Sequence, residues 1–290
     1  MVALPGVQGP GVLLWPLRSG SSGNCLLLAS GGEAILVDAG WGSQRGFRDA
    51  LERTGVDPSS VRGILVSHTH ADHINYTTYR IAEKHAIPLY VHHRNWERSY
   101  RMHYLERAPG RSWQGERFLF RFGEPFRTVG GAFEVDAVEI PHDGGACACF
   151  LVTCLNAGGY RVAIATDLGA WGKRVVRLMA RADYLVVESN WDPDLIARSS
   201  RDPRDVARVM GNRGHLSNEA AAALVSEVAV LKGSPPRGVL LAHLSADHNS
   251  ITTALRSVRS HLGRTGLGDV PVVAAPRGMM GEPVVLVDAR

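Results

Sequence analysis

Apolar positions along the chain follow two rhythms. Runs in which nearly every residue is apolar, VLLWPL (12–17), NCLLLA (24–29), AILVDAG (34–40), GILVSH (63–68) and PLYV (88–91), are short and rich in branched side chains, so they predict buried strands. Between the later runs, apolar residues recur every three or four positions over 43–54 and 74–86, which predicts helices. The second half repeats the style, with strands over 133–140, 148–153, 161–166, 184–188 and 239–243 and helices over 203–210, 218–230 and 251–262. Strands and helices intermix throughout, so the expected fold class is α/β, a single layered domain over 1–290 with two similar halves near 11–160 and 161–290. Residues 1–10 carry neither rhythm and are expected to be disordered.

Polar residues punctuate this pattern at one recurring place. Asp38, His68, His142, Asp167, Glu188 and His243 each end or directly follow an apolar strand. In layered α/β folds the carboxyl ends of strands form the rim where ligands bind.

Composition narrows the class. With 290 residues, 45% hydrophobic and 21% charged, the chain can bury a large core, which excludes disorder and collagen-like repeats. No apolar run approaches the roughly 20 residues that span a bilayer, and the first residues lack a basic head followed by a greasy stretch, so a soluble, cytoplasmic protein without a membrane partner is expected. Cys25, Cys147, Cys149 and Cys154 are too few and too clustered for a disulfide framework and read as reduced core thiols. The net charge of +4 is matched by residues 94–127 alone, where eight Arg face four Glu among eight aromatic residues. Arg grips phosphate and aromatic faces stack on bases, making this stretch a candidate nucleic-acid contact. The competing explanation is compositional, since the whole chain holds 29 Arg and only three Lys.

The strongest chemical signal is SHTHADH (67–73), which supplies three imidazoles and a carboxylate within six residues at a predicted strand-to-helix turn. Alternate residues His68 and His70 can point the same way, while Asp72 and His73 turn toward a second point. With His142, Asp167 and His243 the donors suffice for two adjacent divalent metal ions, and an imidazole and carboxylate set suits Zn or Mn. Asp38 and Glu188 are placed to hold ligand or catalytic histidines in one tautomer from behind. His92, His93, His103 and His248 have no comparable setting and read as packed or solvated histidines.

GSSGN (20–24), LVDAG (36–40), SHTHADH (67–73), PHD (141–143), ATDLG (165–169), ESN (188–190), GHLSN (214–218) and HLSADHN (243–249) together resemble the ordered motifs of metallo-β-lactamase-fold hydrolases. ESN, GHLSN and HLS look most like the bacterial WalJ (YycJ) exonuclease group, and the resemblance covers about 11–249. It implies an αββα four-layer sandwich, two mixed β-sheets flanked by helices. It implies one metal on His68, His70 and His142, a second on Asp72, His73 and His243, and Asp167 bridging both. It also implies a phosphodiesterase, a 5′-to-3′ DNA exonuclease connected with repair, so that nucleic acid, DNA before RNA, is the expected partner. A hydroxide between the ions would attack phosphorus with Asp72 and Asp167 orienting it. His215 occupies the place of a histidine that the related tRNase Z group uses at the leaving group, and is expected to act as a general acid. Ser21, Ser22, Asn24, Ser217, Asn218, Ser245 and Asn249 lie in the matched blocks and are expected to line the substrate. Trp191 after ESN and the Arg-rich stretch 196–204 depart from the group's pattern. Two other classes stay open: a small-molecule metallo-hydrolase of cyclic-phosphodiesterase, lactonase or thioesterase type, and a non-catalytic, metal-stabilised nucleic-acid-binding module.

Overall fold

The computed structural model describes residues 11–288, and the expectation of disorder over 1–10 lies outside them. Two seven-stranded mixed sheets form the centre. The first contains β1 (Val12–Arg18), β2 (Cys25–Ser30), β3 (Glu33–Val37), β4 (Val61–Leu65), β5 (Leu89–His92), β6 (Arg117–Phe120) and, from the far end of the chain, β14 (Val284–Val287), in the order 14-1-2-3-4-5-6. The second contains β7 (Phe126–Arg127), β8 (Phe133–Ile140), β9 (Cys147–Cys154), β10 (Tyr160–Ala165), β11 (Tyr184–Glu188), β12 (Gly238–Ala242) and β13 (Val272–Ala274), in the order 13-12-11-10-9-8-7. The chain crosses between sheets after Phe120, and its last strand crosses back to pair antiparallel with β1.

Strands buried on both faces carry continuous apolar runs, because no face is left for polar residues. Leu14, Leu28, Ile35, Tyr90, Phe133, Phe150 and Val162 pack between the sheets. The outer face of the first sheet is covered by α1 (Gln44–Thr54), α2 (Tyr76–His85) and α3 (Trp96–Ser99), the last running into a π-type turn over Tyr100–Leu105. The outer face of the second is covered by α4 (Lys173–Met179), α7 (Asn218–Lys232) and α8 (Ile251–Arg264), while α5 (Pro193–Ile196) and α6 (Pro203–Met210) follow β11. These layers, helix, sheet, sheet, helix, are the expected sandwich.

Parallel pairing decides where the site falls. β3 to β6 run parallel in the first sheet and β10 to β13 in the second, so each set ends on a common edge.

For four of its eight aromatic residues the 94–127 expectation is corrected here. Trp96, Tyr104, Trp113 and Phe120 are buried. The Trp113 indole donates to the Tyr79 carbonyl at 3.0 Å and meets the Tyr79 ring edge-on at 5.3 Å, while Trp96 stacks on Tyr100 at 5.2 Å. Large rings gain more from leaving water than from waiting for a ligand, so they form core and are withdrawn from base stacking. The eight arginines of the stretch are all exposed. The four cysteines are free and buried, and burial pushes their thiols up to about 12. Among the described residues no helix is long and apolar enough to cross a membrane.

The Phe150 ring is fully buried between the sheets, edge-on to Phe120 at 5.7 Å. Phe150→Ala is expected to lower unfolding free energy by about 3–5 kcal/mol, read by chemical denaturation.

Candidate metal centre

β4 ends at Leu65, and the chain then turns through SHTHADH before Asn75 caps α2 with its side chain. Asp38 follows β3, Asp167 follows β10 and His243 follows β12. All three adopt left-handed backbone, at φ of 60°, 57° and 55°. That conformation is uncommon for residues other than glycine and is best tolerated by Asn, Asp and His. The kink it makes at each strand end turns the side chain into the seam between the sheets. Two glycines let the loops close around it: a Cβ on Gly40 would overlap the Asp72 carbonyl, and one on Gly144 would overlap the His68 ring.

The resulting cluster has two lobes. In the first, His68 Nε2 lies 3.1 Å and His142 Nε2 lies 3.3 Å from His70 Nδ1. In the second, Asp72 Oδ2 lies 3.5 Å from both His73 Nε2 and His243 Nε2. Asp167 sits between them, with Oδ2 3.1 Å from His73 Nε2 and Oδ1 3.9 Å from His142 Nε2. Nitrogens bound tetrahedrally to a small divalent ion at about 2.0–2.1 Å are about 3.3 Å apart, which is the spacing of the first lobe. Asp167 Oδ2 is buried and makes no well-formed hydrogen bond. A buried anionic oxygen needs a positive partner; His73 Nε2 at 3.1 Å supplies one only as an imidazolium, and a divalent ion between the lobes would take its place, so the donor set fits metal.

Each histidine is aimed by a partner on its far nitrogen. His73 Nδ1 meets Asp38 Oδ2 at 2.7 Å, and Asp38 is fixed in turn by the Ser67 backbone N–H and hydroxyl, both at 2.8 Å. His142 Nδ1 donates to the Gly214 carbonyl at 3.0 Å, and His243 Nδ1 meets Glu188 Oε1 at 3.0 Å. His70 alone turns Nδ1 inward, with Nε2 3.2 Å from Asp143 Oδ1. His215 Nδ1 meets Glu188 Oε1 at 2.6 Å, and its ring lies 5.1 Å from that of His142 and 5.3 Å from that of His243.

Electrostatics separate the lobes. Burial, with repulsion from neighbouring imidazoles, holds His68 well below its ordinary value, and burial lowers His70 and His142. Burial would also lower His73 and His243, but Asp167, Asp38 and Asp72 hold His73 well above the usual range, and Asp167, Asp72 and Glu188 lift His243 to about 10. Asp167 is buried and Asp72 partly so, yet the facing histidines hold both carboxyls well below the usual range. Burial works against protonation of His215, but Glu188 outweighs it and raises it.

Of the residues expected to meet substrate, Asn24 reaches the cluster, with its amide 3.0 Å from His73 Nε2 and 3.3 Å from Asp72 Oδ2, while Ser21 and Ser22 lie exposed on the neighbouring turn. Four others have their polar groups engaged in the frame. Ser217 Oγ caps α7 at Ala220, Asn218 and Asn249 bond each other and Ser189, and Ser245 Oγ accepts from the N–H groups of Asp247 and His248. Four residues beside the site escaped the sequence reading: Ser67, Asp143, Asn190, whose amide donates to the His243 carbonyl, and Arg213, whose guanidinium donates to the His142 carbonyl. Ser67 and Asp143 stand inside the quoted blocks SHTHADH and PHD, which was the available signal.

The family described as "Beta-lactamase superfamily domain" matches residues 33–232. Among characterised proteins, the chain is 29% identical over 253 residues to "Exodeoxyribonuclease YycJ" of Bacillus anthracis, covering 87% of this chain and 89% of that one. It is 26% identical to "Exodeoxyribonuclease WalJ" of Streptococcus pneumoniae, covering 87% and 88%. Among solved structures, the metallo-β-lactamase fold protein YhfI from Bacillus subtilis superposes with a TM-score of 0.66 at 17% identity, covering 93% of this chain and 99% of that one. With a sandwich of this form and a histidine and aspartate cluster fitted to divalent metal at its rim, the chain belongs to the beta-lactamase superfamily and is a metal-dependent hydrolase.

Proposed function

We propose that the chain is a dinuclear-metal phosphodiesterase that removes nucleotides from DNA in the 5′-to-3′ direction, in the cytoplasm and in the service of repair. The observation that carries the phosphodiester reading is the His215–Glu188 pair at 2.6 Å beside the two lobes. Likeness over most of the chain to proteins named exodeoxyribonucleases supports DNA as the substrate.

In this reading His68, His70 and His142 hold one ion, Asp72, His73 and His243 the other, and Asp167 serves both. Zn or Mn bound there would supply a water acidified toward neutrality and neutralise charge on the phosphate. Asp72, only partly buried, would help hold the second ion and orient such a water toward phosphorus. Asp38, Glu188 and the Gly214 carbonyl keep His73, His243 and His142 with their Nε2 lone pairs inward. His215, anchored through Nδ1, keeps Nε2 for a proton and delivers it to the departing 3′ oxygen, an alkoxide too basic to leave unaided. Esters with acidic leaving groups need no such proton.

His215→Ala is therefore expected to lower kcat on a DNA oligonucleotide by about 10²- to 10⁴-fold. On bis(p-nitrophenyl) phosphate it is expected to change kcat less than tenfold. Steady-state kinetics on both substrates decide the matter, and equal losses would remove His215 from the proton-delivery role.

Metal uptake carries its own signature. In the metal-free protein the first lobe holds neutral imidazoles, whereas His73 and His243, both raised, keep their protons at neutral pH. An ion entering the second lobe displaces about two protons, so its affinity rises with pH while that of the first lobe changes little. Chelator competition at pH 6, 7 and 8, with calorimetry in buffers of different ionisation enthalpy, is expected to show one weakly and one steeply pH-dependent binding event. Two events of equal slope would contradict the assignment.

A further inference from the structure

The mechanism uses a rim of metal donors and one acid and leaves unexplained how a polymer reaches them. Beside the rim lies an open cavity of about 580 Å³ between the π-type turn and the start of α2. Its walls include Trp41, Ala71, Tyr76, Met102, His103 and Arg107. Ala71 is exposed and stands between His70 and Asp72, so the cavity begins one residue from each lobe of the cluster.

Three features mark it as a built surface. First, it is tied to the metal loop: His103 Nε2 donates to the Thr69 carbonyl at 2.8 Å, and the Thr69 hydroxyl donates to the Gly144 carbonyl at 2.9 Å. His103, a packed histidine, acts as a strut between the turn and SHTHADH. Second, the turn is of the rare π type, closed by Glu106 N–H on the Arg101 carbonyl at 3.1 Å, a geometry frequent at functional sites. The wider turn brings Met102 and His103 onto one face with Glu106 and Arg107. Third, its charge is unspent. Arg107, the arginine in its wall, is exposed and forms no ion pair among the described residues. The one carboxylate in the wall, Glu106, disfavours a phosphate inside the cavity and suits an N–H donor on a base edge.

We infer that this cavity is the subsite for a nucleoside of single-stranded DNA flanking the scissile phosphate, with Met102 and Tyr76 against the base and Arg107 on the next phosphate. The inference rests on the phosphodiesterase reading and gives Arg107 of the 94–127 stretch a role on the phosphate backbone. A cavity of several hundred Å³ has the size of a small-ligand site, and its wall, divided between Trp41, Tyr76 and Met102 on one hand and His103, Glu106 and Arg107 on the other, offers both a stacking face and polar contacts.

The test compares the metal-loaded parent with Arg107→Glu, Met102→Glu and, as a control on the far side of the stretch, Arg121→Glu. Each is assayed on a 5′-labelled single-stranded oligonucleotide and on bis(p-nitrophenyl) phosphate. Arg107→Glu and Met102→Glu are expected to lower kcat/KM on the oligonucleotide at least tenfold, through KM, and to stay within twofold of the parent on the small ester, with Arg121→Glu near the parent on both. Arg107→Ala is expected to reduce the slope of log affinity against log salt by about 0.7, the loss of one single-strand phosphate contact. Oligonucleotide kinetics unchanged in both cavity variants, or equal losses on both substrates, would overturn the subsite. If the parent hydrolyses the small ester but leaves DNA intact, the nuclease reading fails separately. Fluorescence anisotropy of the same oligonucleotide then judges the cavity, with weaker binding by Arg107→Glu upholding it and equal binding overturning it.

Discussion

The site depends on one buried carboxylate that has to be surrounded by donors. Glu188, at the end of β11, is wholly removed from water, where an ionised group without partners would cost far more than a fold's net stability. Four donors meet that demand: His215 and His243 on Oε1, and the backbone N–H groups of Leu168 and Leu216 on Oε2 at 3.0 and 3.3 Å. Burial pushes the carboxyl up, but these partners hold it below its ordinary value. Leu168 follows Asp167 and Leu216 follows His215, so satisfying Glu188 also fixes the two turns that carry them. One electrostatic requirement thus sets the positions of three functional side chains from three separate elements.

Asp38 does the same work on the other sheet. It binds Ser67 twice and His73 once, locking the start of SHTHADH to the end of β3. Each sheet therefore carries its own anchoring carboxylate, and the donor cluster forms along the seam where the two anchored edges face each other. The sheets are held in that relation by side chains such as Phe133 and Phe150, far from any chemistry.

Much of this was legible in the sequence because burial and chemistry leave separate marks. Strands closed on both faces must be apolar throughout, and β3, β4, β10, β11 and β12 read clearly, with the ionisable residues at their ends standing out by contrast. Elements outside the double-sided core were harder to see. β6 has its first three residues exposed, β7 is two residues long, and β14 returns from the chain's far end to an edge position, a pairing that local pattern does not encode. The stretch 94–127 looked uniform as composition and proved divided, since Trp96, Tyr104, Trp113 and Phe120 are buried while all eight arginines stay exposed. Ser217, Asn218, Ser245 and Asn249 were flagged through the blocks they occupy, but a short polar side chain beside a helix start is also the best available cap, and here the backbone claimed it.

The left-handed backbone at Asp38, Asp167 and His243 narrows what any replacement at those positions can reveal. A residue there has to bear the kink as well as supply an oxygen or nitrogen. Alanine forfeits both at once, adding on the order of 1–2 kcal/mol of conformational penalty to whatever binding is lost. Asparagine at the two aspartates keeps the backbone content while removing only the charge. The vocabulary open to these three corners of the chain is therefore short, and it is written by sterics as much as by coordination chemistry.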